Sequence, residues 1–112
     1  IRRYGCYDNK TLDYRDYSDL IDAILKQIIK MGKGIEVNSS GFRYNLASPM
    51  PDYSIVKRYK ELGGEIICTS SDAHKIEHIG YKFDFLKEMI TKAGFTYTAH
   101  FEQRKPVFTK LD

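Results

Sequence analysis

The sequence predicts an α/β fold in which parallel strands alternate with covering helices. Three observations carry this. Apolar stripes at helical spacing alternate with short β-branched runs, the connections between them are short, and a glycine closes each helical stretch. The resulting order, αβαβαβ, is that of a parallel sheet with helices packed on it.

Residues 1–15 are polar and irregular, with Gly5, Asp8 and Asn9 as turn formers, and read as an approach segment. A helix is predicted from Tyr17 to Met31. Tyr17, Leu20, Ile21, Ile24, Leu25, Ile28 and Met31 form its apolar stripe, Asp16 is its candidate cap, and Gly32 its terminator. The first strand runs from Gly34 to Ser39, with Ile35 and Val37 on one face and Glu36 and Asn38 on the other. A polar loop over Ser40–Pro51 leads to a second helix at Asp52–Leu62, stopped by Gly63-Gly64. The second strand, Glu65–Thr69, precedes the loop Ser70-Ser71-Asp72-Ala73-His74-Lys75. A third helix over Phe83–Ala93 ends at Gly94, and a third strand spans Phe95–Phe101. Gln103–Leu111 reads as a last extended segment, with Pro106 pointing to a sheet edge.

The chain has 112 residues, 42% of them hydrophobic and 29% charged, with 9 Tyr and 6 Phe. That is enough to build one domain with a core, and it excludes a disordered chain. The net charge of +3 is spread along the sequence, which argues against a nucleic-acid surface and leaves a small anionic ligand compatible. Cys6 and Cys68 lack metal-type spacing and read as free thiols of a cytoplasmic protein, Cys68 within an apolar strand as part of the core. The apolar runs are too short to span a membrane. Three parallel strands, with a first helix lacking its preceding strand and a first residue that is not Met, suit half of a β/α barrel. A small open α/β domain has the same pattern.

In such folds function collects in the loops after the strands. The loop after the second strand carries Asp72 and His74, a carboxylate and an imidazole suited to Zn, Mn or Fe. The loop after the first carries Ser39, Ser40, Gly41, Arg43 and Tyr44; an arginine fork can hold two phosphate oxygens. Glu36 and Asn38 would line the site from the strand below. His78 follows His74 by four residues, but the neighbouring Gly80 makes a helical metal pair a poor fit, and it reads as a surface histidine; His100, in the last strand, reads as structural or exposed. No nucleophile elbow, Walker loop, CxxC pair or Rossmann glycine fingerprint is present.

As an ordered set, several runs resemble the histidinol-phosphate phosphatases of the PHP class of phosphoesterases. They are Gly34-Ile35-Glu36-Val37-Asn38-Ser39-Ser40-Gly41-Phe42-Arg43, Lys60-Glu61-Leu62-Gly63-Gly64-Glu65-Ile66-Ile67, Ser70-Ser71-Asp72-Ala73-His74 and Phe101-Glu102-Gln103-Arg104-Lys105-Pro106-Val107. Arg3-Tyr4-Gly5 and Leu12-Asp13-Tyr14 also resemble a stretch that follows a metal histidine of that family. The resemblance implies that residues 1–112 form the C-terminal part of a distorted seven-stranded barrel, with up to three divalent metals and phosphomonoester hydrolysis. It implies that Asp72 and His74 are metal ligands, that Arg43 and Tyr44 meet the substrate phosphate, and that Lys75 assists. No catalytic acid, base or nucleophile is assigned within the chain. The family's H-x-H pair is absent, so the N-terminal half of the barrel is the expected partner and self-association is open. A non-catalytic piece packing with that half or with itself, and a related phosphoesterase for a different substrate, are the alternatives.

Overall fold

The computed structural model describes residues 13–111. The expectations for Arg3-Tyr4-Gly5, Cys6, Asp8, Asn9 and Leu12 lie outside that range.

The chain enters through a 3-10 turn, Tyr14–Tyr17, and continues as helix α1, Ser18–Lys30. Asp13, not Asp16, caps the entry. Its carboxylate accepts from the Arg15 N–H at 2.9 Å, while Asp16 accepts from the Asp13 N–H at 3.0 Å, a reciprocal capping box. The expected cap is thus the far half of the box, because the first turn winds more tightly than an α-helix. Gly32 closes α1 with φ +63, and the Lys33 N–H returns to the Ile28 carbonyl at 3.0 Å.

Strand β1, Ile35–Asn38, is followed by a 3-10 turn over Ser39–Tyr44, where the sequence predicted only polar loop. Asn38 starts that turn by accepting the Ser40 N–H on its side-chain oxygen at 2.8 Å. The loop returns to the strand, Asn38 and Met50 exchanging backbone bonds of 2.8 and 2.9 Å. Helix α2, Tyr53–Glu61, is capped by Asp52 through the Ser54 and Ile55 N–H groups. Strand β2, Ile67–Ser70, leads through a 3-10 turn at Ile76–His78 to helix α3, Phe83–Lys92.

Strands β1 and β2 are parallel, Ile35 opposite Ile67 and Asn38 opposite Ser70. The expected third parallel strand is a correction. β3, Tyr97–Glu102, forms an antiparallel hairpin with β4, Lys105–Lys110, and lies beside β2 without a ladder to it. The cause is local. Gln103 and Arg104 take φ +47 and +66, a two-residue reversal whose twist suits a hairpin. Pro106 sits in β4 opposite Phe101, in the edge setting its missing N–H requires. The chain is therefore mixed α/β, compatible with part of a barrel.

One core joins these pieces. Leu25 of α1, Val37 of β1, Val56 and Tyr59 of α2, Ile67 of β2, and Leu86, Met89 and Ile90 of α3 pack together with Ala93 and Phe95. Each fully buried aliphatic side chain contributes about 1.5–3 kcal/mol. The predicted stripe of α1 divides: Ile21, Leu25 and Ile28 face this core, whereas Tyr17, Leu20 and Ile24 are exposed. Cys68 is half-buried, not in the core cluster. It stands opposite Glu36 on the other face of the parallel pair.

Candidate functional site

The parallel pair ends at Asn38 and Ser70, side by side, so the loops that follow start together. The first loop is held at Phe42, whose ring meets Phe85 of α3 edge to face at 5.1 Å. This leaves the next residue, Arg43, directed at the second loop. Its Nη1 donates to the Ser71 carbonyl at 2.8 Å and its Nη2 to the Asp72 carbonyl at 2.9 Å.

The second loop bends at Asp72, which has φ +50, a left-handed conformation that Asp tolerates better than most residues. The Asp72 N–H donates to Ser70 Oγ at 3.1 Å. His74 Nδ1 lies 2.8 Å from the Asp72 carbonyl. A carbonyl only accepts, so a proton sits on Nδ1, and in the neutral ring Nε2 then carries the lone pair. The Asp72 carbonyl thus receives both Arg43 and His74. Asp72 and His74 are exposed.

Below the loops, Asn38 Nδ2 donates to Glu36 Oε1 at 3.1 Å, joining the two residues expected to line the site. Glu36 is exposed and Asn38 half-buried. Burial, and then the Glu36 charge, raise the Cys68 thiol above its ordinary pKa, which keeps it protonated and a poor nucleophile.

The structure therefore brings Arg43, Asp72 and His74 into one hydrogen-bonded cluster, with Glu36 and Asn38 as a second pair beneath it. Tyr44 is half-buried beside Arg43, and Lys75 is exposed beside His74. His78 closes a 3-10 turn and is half-buried, so the helical His74–His78 pair does not form. His100 is exposed and bonds Glu102 at 3.2 Å. Sequence reasoning missed the Ser71 carbonyl, the Ser70 hydroxyl and the Phe42–Phe85 anchor. The first two belong to the flagged loop; nothing local marks the third.

The donors at Asp72 and His74 suit a divalent metal chemically: one carboxylate, and one imidazole whose Nε2 faces away from its own hydrogen bond. They fall short in number. Among the described residues no group of three or more His, Cys, Asp or Glu could hold a metal ion together.

Fold and site define an α/β protein whose strand-end loops present a carboxylate and an imidazole, with an arginine bound to the main-chain carbonyls of their loop. Comparison with known proteins gives the relationship. A probable histidinol-phosphatase of Thermotoga maritima is 36% identical over 99 residues, covering 88% of this chain and 42% of that protein. A probable histidinol-phosphatase of Clostridium acetobutylicum is 38% identical over 85 residues, 74% of this chain and 32% of that protein. The histidinol-phosphatase of Lactococcus lactis is 26% identical over 106 residues, 94% of this chain and 39% of that protein. No protein-family model matches the chain. The chain is thus a relative of the histidinol-phosphatases, which are enzymes by name, and it spans about a third to two fifths of the length of these three relatives.

Proposed function

We propose that this chain is the C-terminal part of a metal-dependent phosphomonoesterase that converts histidinol phosphate to histidinol and phosphate in histidine biosynthesis. The observation that carries this reading is the convergence of Arg43, Asp72 and His74 where the two parallel strands end. The names of the relatives support the substrate.

In this reading Asp72 and His74 hold zinc, manganese or iron, with the remaining donors from the N-terminal half of the barrel. A bound divalent metal supplies Lewis acidity and a water acidic enough to ionise near neutral pH. Arg43, Tyr44 and Lys75 meet the phosphoryl group, whose transition state chiefly needs positioning and positive charge. Arg43 keeps further N–H donors for this beyond the two its carbonyls occupy. Glu36 and Asn38 form the polar floor. Hydrolysis breaks the phosphorus–oxygen ester bond and adds water across it. The setting is cytoplasmic; no helix of the described residues is long and apolar enough to cross a membrane.

A second reading, a non-catalytic module that packs with its N-terminal half or a second copy, draws on exposed apolar side chains. Tyr17 in the entry turn, Leu20 and Ile24 on α1, and Tyr97, Phe101 and Phe108 on the hairpin are all exposed. Intact-mass and metal analysis of one purified sample, with phosphate release from histidinol phosphate, separates the two. A companion polypeptide bearing an H-x-H pair, bound metal and turnover support the phosphatase. A lone 13.0 kDa chain without metal or turnover supports the module.

A further inference from the structure

We infer that Arg43 is a positioning residue for the metal-donor loop: by bridging the Ser71 and Asp72 carbonyls it fixes the loop's bend and the His74 nitrogen that faces outward. The functional meaning of this strut rests on the metal reading above; the strut itself does not.

Three observations converge on it. The loop turns through a left-handed residue, Asp72, a conformation that persists only where its surroundings hold it. The holding bonds are few: the Asp72 N–H to Ser70 Oγ, and the two Arg43 N–H bonds to successive carbonyls. The second of those carbonyls, Asp72, is also the acceptor for His74 Nδ1. Arg43 therefore reaches His74 through one shared oxygen. A planar guanidinium can span two successive carbonyls from one side, which a lysine ammonium, a single point donor, cannot do with the same rigidity. Arg43 is itself held from behind by the Phe42–Phe85 contact and by the turn that Asn38 caps. The first loop thus sets the second, and the consequence falls on the ring nitrogen that a metal would take. The Asp72 carbonyl is the partner one bond removed from the His74 ligand, a kind that typically shifts metal affinity by roughly 10–100-fold, and Arg43 acts on it from one bond further out.

The test is nitrogen NMR of the labelled, metal-free chain, comparing wild type with R43K and R43A. In wild type, with the imidazole held in its neutral form by the buffer, the strut requires His74 Nδ1 in the protonated range, Nε2 in the unprotonated range, and separate, slowly exchanging Arg43 Nη signals. In R43A the His74 nitrogens move toward averaged values, and the Ser71–His74 amides shift while those of α1 and α3 stay in place. R43K gives an intermediate shift at His74. Zinc titration followed at His74 Nε2 then weakens by about tenfold or more in R43A. Averaged Arg43 Nη signals in wild type, or a His74 tautomer unchanged in a folded R43A or R43K, overturn the strut. Should R43A not fold, the wild-type spectrum and R43K still decide. With the chain joined by its N-terminal half, a wild-type His74 that ignores zinc while its metal-free spectrum depends on Arg43 leaves the strut standing and overturns the metal reading instead.

Discussion

At the residue scale, the position that most limits the candidate site is Gly41. It is buried in the turn between Asn38 and Arg43. A Cβ there would overlap the Ser48 carbonyl oxygen and lie 3.4 Å from the Met50 side chain. The obstacle is backbone, which cannot swing aside as a side-chain tip can. Gly41→Ala is expected to cost about 1–3 kcal/mol in denaturant unfolding, as overpacking commonly does. It should also displace Arg43, two residues on. An unfolding midpoint matching wild type would show that the turn has room the geometry denies. The sequence marked Gly41, Arg43, Asp72 and His74 because their chemistry stands out beside strand ends. It could not show that Arg43 bonds carbonyls 28 and 29 residues further on. A main-chain acceptor has no residue type to betray it.

At the scale of elements, α1 and α2 are joined by a pair that no local pattern announces. Arg58 Nε bonds both oxygens of Asp22 at 3.0 and 3.1 Å, and Tyr14 donates to the same carboxylate at 2.8 Å. The Arg58 bonds first, and the Tyr14 bond second, lower the Asp22 carboxyl from 3.8 to about 2, and Arg58 is shifted upward in turn. As pH falls below about 4 the unfolded chain takes up this proton while the folded chain resists until about 2. The pair's stabilisation is therefore complete above that window and lost across it. Urea midpoints measured from pH 6 to 2 should fall more steeply for wild type than for Asp22→Asn between pH 4 and 2. Parallel curves would show that the pair adds nothing to the pH dependence. The hairpin gives a second expectation. Arg104 holds φ +66 at a turn position that favours glycine, so Arg104→Gly should raise stability by about 0.5–1 kcal/mol; a lower melting temperature would reject that account of the turn. Helix ends were legible where glycine or Asp52 marked them. This turn was not, because Gln103 and Arg104 carry none of the usual turn signals, and the strand they reverse was read as a parallel one.

At the scale of the whole molecule, the core and the hairpin have unequal support. Every helix and both parallel strands contribute a buried side chain to the one cluster. The hairpin strands contribute none to it. Ala99 is their one buried hydrophobic residue among those described, while Tyr97, Phe101 and Phe108 remain 47%, 53% and 48% exposed. The sequence marked both segments as extended, but an extended reading carries no information on which face finds a cover. Segments with few buried contacts open at lower free energy than the whole domain. Native-state hydrogen exchange should therefore find the β3 and β4 amides exchanging through a partial opening, with the amides of β1 and β2 exchanging only on global unfolding. Ile90→Ala sharpens the comparison. Ile90 is fully buried in the cluster, and its truncation should cost about 2–5 kcal/mol, a large share of a domain's usual stability. That loss should appear in full at β1 and β2 and leave the hairpin's opening free energy little changed, as long as partial opening remains the easier route. Equal losses at both places would mean that the hairpin unfolds only together with the core, and that its exposed face is no guide to its stability.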